Sequence, residues 1–189
     1  MPLTNGRYPS KNREWMLSGQ PGSTYRSNLD RAAVVNDFAS LTTQTMQSTA
    51  LYLQAGDLVT NLTFKSGATA AGTPTNWWFA LYDDSNTPVL LAQTADQLTA
   101  AWAASTAKTL ALATPYAVPR SGIYQAAVMV KATTPPSLLG AATVAAAVSG
   151  FVTGDLVLAQ NSGASLTGTA PATITGGSAI GFVPRVVAT

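Results

Sequence analysis

The amino-acid sequence predicts an all-β protein: an antiparallel β-sandwich, jelly-roll-like, with an extended N-terminal arm. Three observations carry that prediction. Apolar and polar residues alternate through several short segments, most clearly 76–82 (NWWFALY) and 123–131 (IYQAAVMVK). Clusters of Gly, Pro, Asn and Asp separate those segments. Sustained helical periodicity is scarce along the chain.

Residues 1–40 read as the arm. Pro2, Pro9, Pro21, Gly6, Gly19 and Gly22 punctuate them, and no period of 2 or 3.6 appears before about Asp30. A short helix is expected over 30–40, since Leu29, Ala33 and Val34 share a face with Phe38 four further on. The sandwich is expected over 41–189. Its first strand, 43–53, ends at Ala55-Gly56-Asp57, and in the second, 58–65, Leu58, Thr60, Leu62 and Phe64 fall on one side. A loop over 66–75 leads to 76–82, where Trp77, Phe79 and Leu81 face one way and Trp78, Ala80 and Tyr82 the other. The run 83–88 is a turn and 89–93 returns, making a hairpin. A connection over 94–106 precedes a short strand at 108–113. Pro115, Pro119 and Gly122 mark 114–122 as a loop, and 123–131 is again a strand, stopped by Pro135-Pro136. Residues 137–152 fit a helical turn or a buried loop equally well. Late strands are expected at 154–160 and 178–187, giving about eight in all; their order does not follow from the sequence.

Composition excludes several chemistries. The 189 residues contain no Cys, no His and a single glutamate, Glu14. No Ser-His-Asp or Cys-His triad can be built, zinc loses its preferred ligands, and no disulfide can staple the fold. Charged residues are 10% of the chain, against roughly 25% in an average soluble protein. With 33 Ala and 26 Thr, the long loops are low in charge, so much of the surface is expected to be covered by copies of the chain or by a partner. The net charge of +2 is weak support for specific nucleic-acid binding, and none is expected. The opening MPLTNGRYPSKNREW lacks the apolar core of a secretory signal. The longest apolar stretch, 138–152, is too short and too interrupted for a bilayer span of about 20 residues, so no membrane partner is expected.

Four constellations invite a chemical reading. Asp83-Asp84 with Asn86 can approach a calcium ion but reads first as a turn in which Asp and Asn bond their own backbone. Trp77-Trp78 places one ring in the core and the other outward or toward a neighbour. Trp77, Trp78 and Trp102 are therefore candidates for a subunit contact or for stacking on a sugar, with Tyr82 a further stacking ring. Arg7, Tyr8, Lys11, Arg13, Trp15, Tyr25, Arg26 and Arg31 mix cations with aromatic rings. Five basic residues against three acids leave the arm a net +2, which favours docking on an acidic protein surface over binding phosphate. Asn61-Leu62-Thr63 lies in an expected strand and reads as a chance sequon, and the Gly-Ala-Thr-Ala-Ala-Gly run at 67–72 lacks the lysine of a phosphate loop. No lysine is placed by a motif to activate a hydroxyl, so an enzyme is not expected and neither a metal nor a cofactor is implied.

The segments NWWFALYDDSNTPVLLAQTAD (76–96) and AWAASTAKTLALATPYAVPRSGIYQAAVMVKA (101–132) resemble a β-sandwich domain that recurs in tailed-phage structural proteins. These include minor tail or fibre proteins and capsid-decorating proteins, often of phages infecting actinobacteria. The resemblance covers about 57 residues, 76–132, and carries no catalytic position. It implies a virion component that is usually homotrimeric. A sandwich with a short arm and no shaft repeat fits a capsid decoration protein better than a complete fibre. The expectation is a cement protein on the outer capsid surface, assembled in the host cytoplasm, with the major capsid protein as partner and the arm as grip. The alternative is a minor tail or fibre-tip protein that binds a host-surface glycan.

Overall fold

The computed structural model describes residues 24–34, 36–38, 41–83 and 85–189. Thirteen strands run along the described chain: β1 (Arg26–Ser27), β2 (Asn36–Asp37), β3 (Met46–Leu53), β4 (Leu58–Lys65), β5 (Asn76–Tyr82), β6 (Leu90–Gln93), β7 (Ala107–Ala117), β8 (Gly122–Lys131), β9 (Leu139–Ala142), β10 (Ala159–Ser162), β11 (Ser178–Ala179), β12 (Phe182–Pro184) and β13 (Val186–Ala188). One helical turn, α1 (Ala145–Val148), follows β9. Extended residues make up 46% and helix 4%, and every strand pairing is antiparallel, so the all-β sandwich stands.

Six strands form one sheet in the order β11-β10-β3-β8-β5-β6, and four form the other in the order β1-β13-β4-β7. A small third sheet has the order β12-β9-β2, and Arg185 alone separates its β12 from β13 of the second. The chain therefore changes sheet between β3 and β4, β4 and β5, β6 and β7, and β7 and β8. Period-two alternation explains the core between the sheets. Leu51 and Leu53 of β3, Trp77, Phe79 and Leu81 of β5, and Tyr124, Ala126, Val128 and Val130 of β8 point inward. They meet Val59, Leu62 and Phe64 of β4 with Val186 and Ala188 of β13. Phe79 lies 4.8 Å from Phe64 and 5.6 Å from Trp102, ring centre to ring centre, in tilted and edge-on contacts.

Several expectations are corrected. In 58–65 the face changes part-way: Val59 is buried and Leu58 is 49% exposed. A bulge does this, because the register with β7 slips between Val59 and Asn61 and the amides of Thr60 and Asn61 both donate to the Thr189 carbonyl. The strand expected at 108–113 runs on to Ala117 and includes Pro115. β7 is an edge strand, where a missing amide costs no ladder bond. Between its two pairings with β4 it swings out so that Leu112 bridges Thr94 after β6, which ties the two sheets together on that side. Of the late strand expected at 154–160 only Ala159 and Gln160 are extended, as the start of β10, and 178–187 breaks into β11, β12 and the start of β13. The ambiguous 137–152 resolves into β9, α1 and a loop. Gly140 is required in β9, since a Cβ there would come within 2.2 Å of the Val183 carbonyl oxygen.

The helix expected over 30–40 does not form. Arg31–Ala33 makes a single 3-10 turn and Asn36–Asp37 pairs with β9 instead. The Asp30 side chain caps nothing, and a neighbouring sheet edge offers the backbone the partners that an unsupported helical turn would lack. The described part of the expected arm is built into the sheets. β1 pairs with β13, Phe38 stacks on Phe182 at 4.7 Å, and Asn28 stitches three elements. Its Nδ2 donates to Thr49 Oγ1 (2.9 Å) and the Pro184 carbonyl (2.8 Å), while its Oδ1 accepts the Val186 amide (2.9 Å).

Candidate interaction surfaces

The three candidate tryptophans are not on the surface. Trp77, Trp78 and Trp102 are 1%, 0% and 0% exposed, so none can stack on a sugar or face a second subunit in this fold. Trp77 and Trp102 lie between the sheets, stacked at 5.1 Å, and donate their indole N–H groups to the carbonyls of Ala100 and Thr106. Trp78 does point to the outer side of the six-stranded sheet, as alternation demands. There the chain's own segment 163–177 covers it, and its Nε1 donates to the Thr167 carbonyl (2.6 Å). Ala170 and Ile174 of that segment pack with Met46, Trp78, Ala80, Tyr82, Ala127 and Met129 into a second core. The Tyr82 hydroxyl donates to the Pro171 carbonyl (2.9 Å), and burial pushes its pKa up, so it also offers no free stacking face. The sequence could not reveal this cover, because an Ala/Thr/Gly-rich loop carries no strand period.

Of the basic and aromatic arm residues, Arg7, Tyr8, Lys11, Arg13 and Trp15 lie outside the described residues. Arg26 is consumed by the fold. Its guanidinium pairs with Asp57, itself 7% exposed, and donates to the Tyr25 carbonyl (3.0 Å). The Tyr25 hydroxyl accepts from Arg185, whose Nε also donates to the Leu29 carbonyl (3.0 Å). Arg31 remains exposed on the 3-10 turn.

Arg31 rims a groove of about 230 Å³ on the outer side of the four-stranded sheet. Leu62, Phe64, Val186 and Ala188 turn inward there, so their neighbours Thr63, Lys65 and Val187 turn out. Lys65 and Arg185 join Arg31 around a floor of Val34, Leu139 and Val187. The described residues lining this groove include three cations and no carboxylate. Lys65 and Arg185 are far from residues 1–40 in sequence, and no local motif marks them; only the pairing of β4 with β13 brings them together.

The opposite face, outside the six-stranded sheet, carries a different surface. The loop 150–158 forms a lip bound to β3 and β8, through the Ala50 amide on the Leu158 carbonyl and the Gln125 side chain on the Val157 carbonyl, and its Gly154, Asp155 and Leu156 line two depressions. One depression, about 600 Å³, is apolar and lined by Tyr52, Ile123, Ala147, Phe151, Leu156 and Leu158. Phe151 and Val152 are 87% and 69% exposed. The other, about 280 Å³, is polar, with Asp83, Asn86, Gln125, Asp155 and Gln160 in its walls. The lip is tied by Asp155, whose Oδ2 accepts the amides of Phe151 (2.7 Å) and Val152 (3.0 Å). Those two bonds hold its carboxyl below the ordinary carboxylate range. Asp83 is also held low. Partial burial opposes ionisation, but the Val89 amide, the Ser85 hydroxyl and amide, and the Arg120 charge outweigh it. Its Oδ1 accepts from Ser85 and Val89, so Asp83 does take the turn role the sequence suggested. The sequence reading misses this lip, taking 137–152 as a helical turn or buried loop and 154–160 as a strand; Gly150, Gly154 and Asp155, which interrupt the apolar residues of GFVTGDLVL (150–158), are the signal that marks a loop there.

Among the described residues, no three of His, Cys, Asp and Glu gather, and no helix is long and apolar enough to cross a membrane. No protein-family model matches the chain, and neither does any curated protein sequence.

Proposed function

We propose that this chain is a structural virion protein of a tailed phage: a capsid decoration protein that binds the coat lattice as a homotrimer. One observation carries the assembly reading. The sandwich presents two unlike outer faces, an apolar lip with Phe151 and Val152 largely exposed and, opposite, a cation-rimmed groove. Large exposed apolar side chains on a chain with so few charges mark surfaces that other subunits cover. The resemblance of residues 76–132 to phage sandwich domains supplies the virion context.

Such a protein acts passively. It occupies a site created by the assembled lattice and stabilises that lattice by mass action, with several weak contacts multiplied across the trimer. Of the N-terminal cations and rings, Arg7, Tyr8, Lys11, Arg13, Trp15 and the exposed Arg31 remain the proposed grip on the major capsid protein, whereas Tyr25 and Arg26 are engaged within the fold. The glycan-binding alternative has lost its stacking platform with the burial of Trp77, Trp78 and Trp102.

Mass spectrometry of purified particles, with labelled antibody imaged on them, tests the location: label on the head shell is expected, and label on the tail tip overturns the decoration reading. Light scattering tests the assembly: a mass three times the 19.4 kDa chain is expected. A monomer at micromolar concentration counts against it.

A further inference from the structure

We infer that the groove between Arg31, Lys65 and Arg185 is a docking site for an extended acidic segment of a partner protein. Naming the coat as that partner rests on the proposed function; the chemistry of the groove does not. Three cations of a chain that has only ten meet on one rim. The acids nearest along the chain do not line it, and Asp37 spends its Oδ2 on the Ala68 amide. Arg185 is held in place by the Leu29 carbonyl and the Tyr25 hydroxyl, so one rim charge is pre-positioned at little entropic cost. Arg31 and Lys65 are exposed and can close on carboxylates from either side.

The floor decides between ligand classes. Val34, Leu139 and Val187 offer apolar contact beneath the charges, and among the described residues no aromatic ring lines the groove. A single-stranded nucleic acid needs rings for its bases to stack on. An extended peptide that alternates acidic and apolar residues satisfies both parts of this groove, apolar side chains on the floor and carboxylates on the rim.

The test uses the full chain, a fluorescein-labelled peptide alternating Glu and Leu, its Lys/Leu counterpart, and oligo-dT. Fluorescence anisotropy is expected to show binding of the acidic peptide alone, weakened by added salt. The double variant Arg31→Glu/Lys65→Glu changes two exposed residues, so its melting temperature is expected to match the parent; peptide affinity should fall about tenfold or more. In parallel, both proteins are added to particles lacking the chain. Loss of particle and peptide binding together supports the groove as the coat contact. If the parent ignores particles while the variant still loses the peptide, the groove stands and the decoration reading fails. If the variant binds peptide and particles as the parent does, or oligo-dT displaces the peptide, the inference is overturned.

Discussion

The two outer faces of this sandwich start from the same strand chemistry and end differently. Outside the six-stranded sheet, Met46, Trp78, Ala80, Tyr82, Ala127 and Met129 form an apolar surface, and segment 163–177 closes over part of it as a third layer. Outside the four-stranded sheet, the outward residues include Thr63, Lys65 and the exposed Ala107, Thr109 and Ala111 of β7, and Thr63 bonds Thr109 across the ladder at 2.8 Å. Among the described residues, that face has no cover of comparable extent. Burial is thus decided strand by strand: where both sets of alternate residues are apolar the chain must supply a second lid, and where one set is polar it leaves a surface free for charge.

The largest expected effect tests whether that lid is a true core. Trp78→Ala should cost about 3–5 kcal/mol in denaturant unfolding, as much as Phe79→Ala between the sheets. A loss below about 1 kcal/mol would reduce segment 163–177 to a loose flap. Next comes the stitch between the faces. Asn28→Ala removes three hydrogen bonds that join Thr49 of one sheet to Pro184 and Val186 beside the other, and should cost about 1–3 kcal/mol. An unchanged midpoint would show that residues 24–30 merely rest on the sheets.

Smaller effects are expected at the lip. The Asp155 pKa is depressed in the folded protein, so its contribution is fully present above the ordinary carboxylate value of about 3.9 and is lost as pH falls through the lower folded value. Amide exchange at Phe151 and Val152 should therefore quicken relative to the core below about pH 4. Asp155→Asn should remove that pH dependence; if it persists, another group holds the lip. The smallest effect belongs to the uncovered face, where Thr63→Val should shift stability by no more than about 0.5 kcal/mol. A larger loss there would mean that the hydroxyl ladder is structural.

Much of the fold was legible because alternation is a local property. Strands β4 and β5 fall at the expected limits, and the inward and outward sets of NWWFALY separate as read. The bulge in β4 was not legible, since it depends on Thr189 reaching both Thr60 and Asn61 from the far end of the chain. The described part of the expected arm was not legible as part of the body, because β1 and β2 exist only through their pairing with β13 and β9. The candidate site was read least well. The tandem tryptophans announced two apolar faces, but a sequence cannot say whether the outer one meets a ligand, a neighbour or the chain itself.

The sequence by itself determined the class, the main strands and the chemistry that is ruled out, because residue type and period two act over a few neighbouring positions. Tertiary structure alone decided which apolar face stays open and which cations share a rim. Trp78 is hidden by a loop some ninety residues downstream, and Arg31, Lys65 and Arg185 are gathered from both ends and the middle of the chain. Such placements depend on long-range pairing, which the one-dimensional pattern does not encode locally.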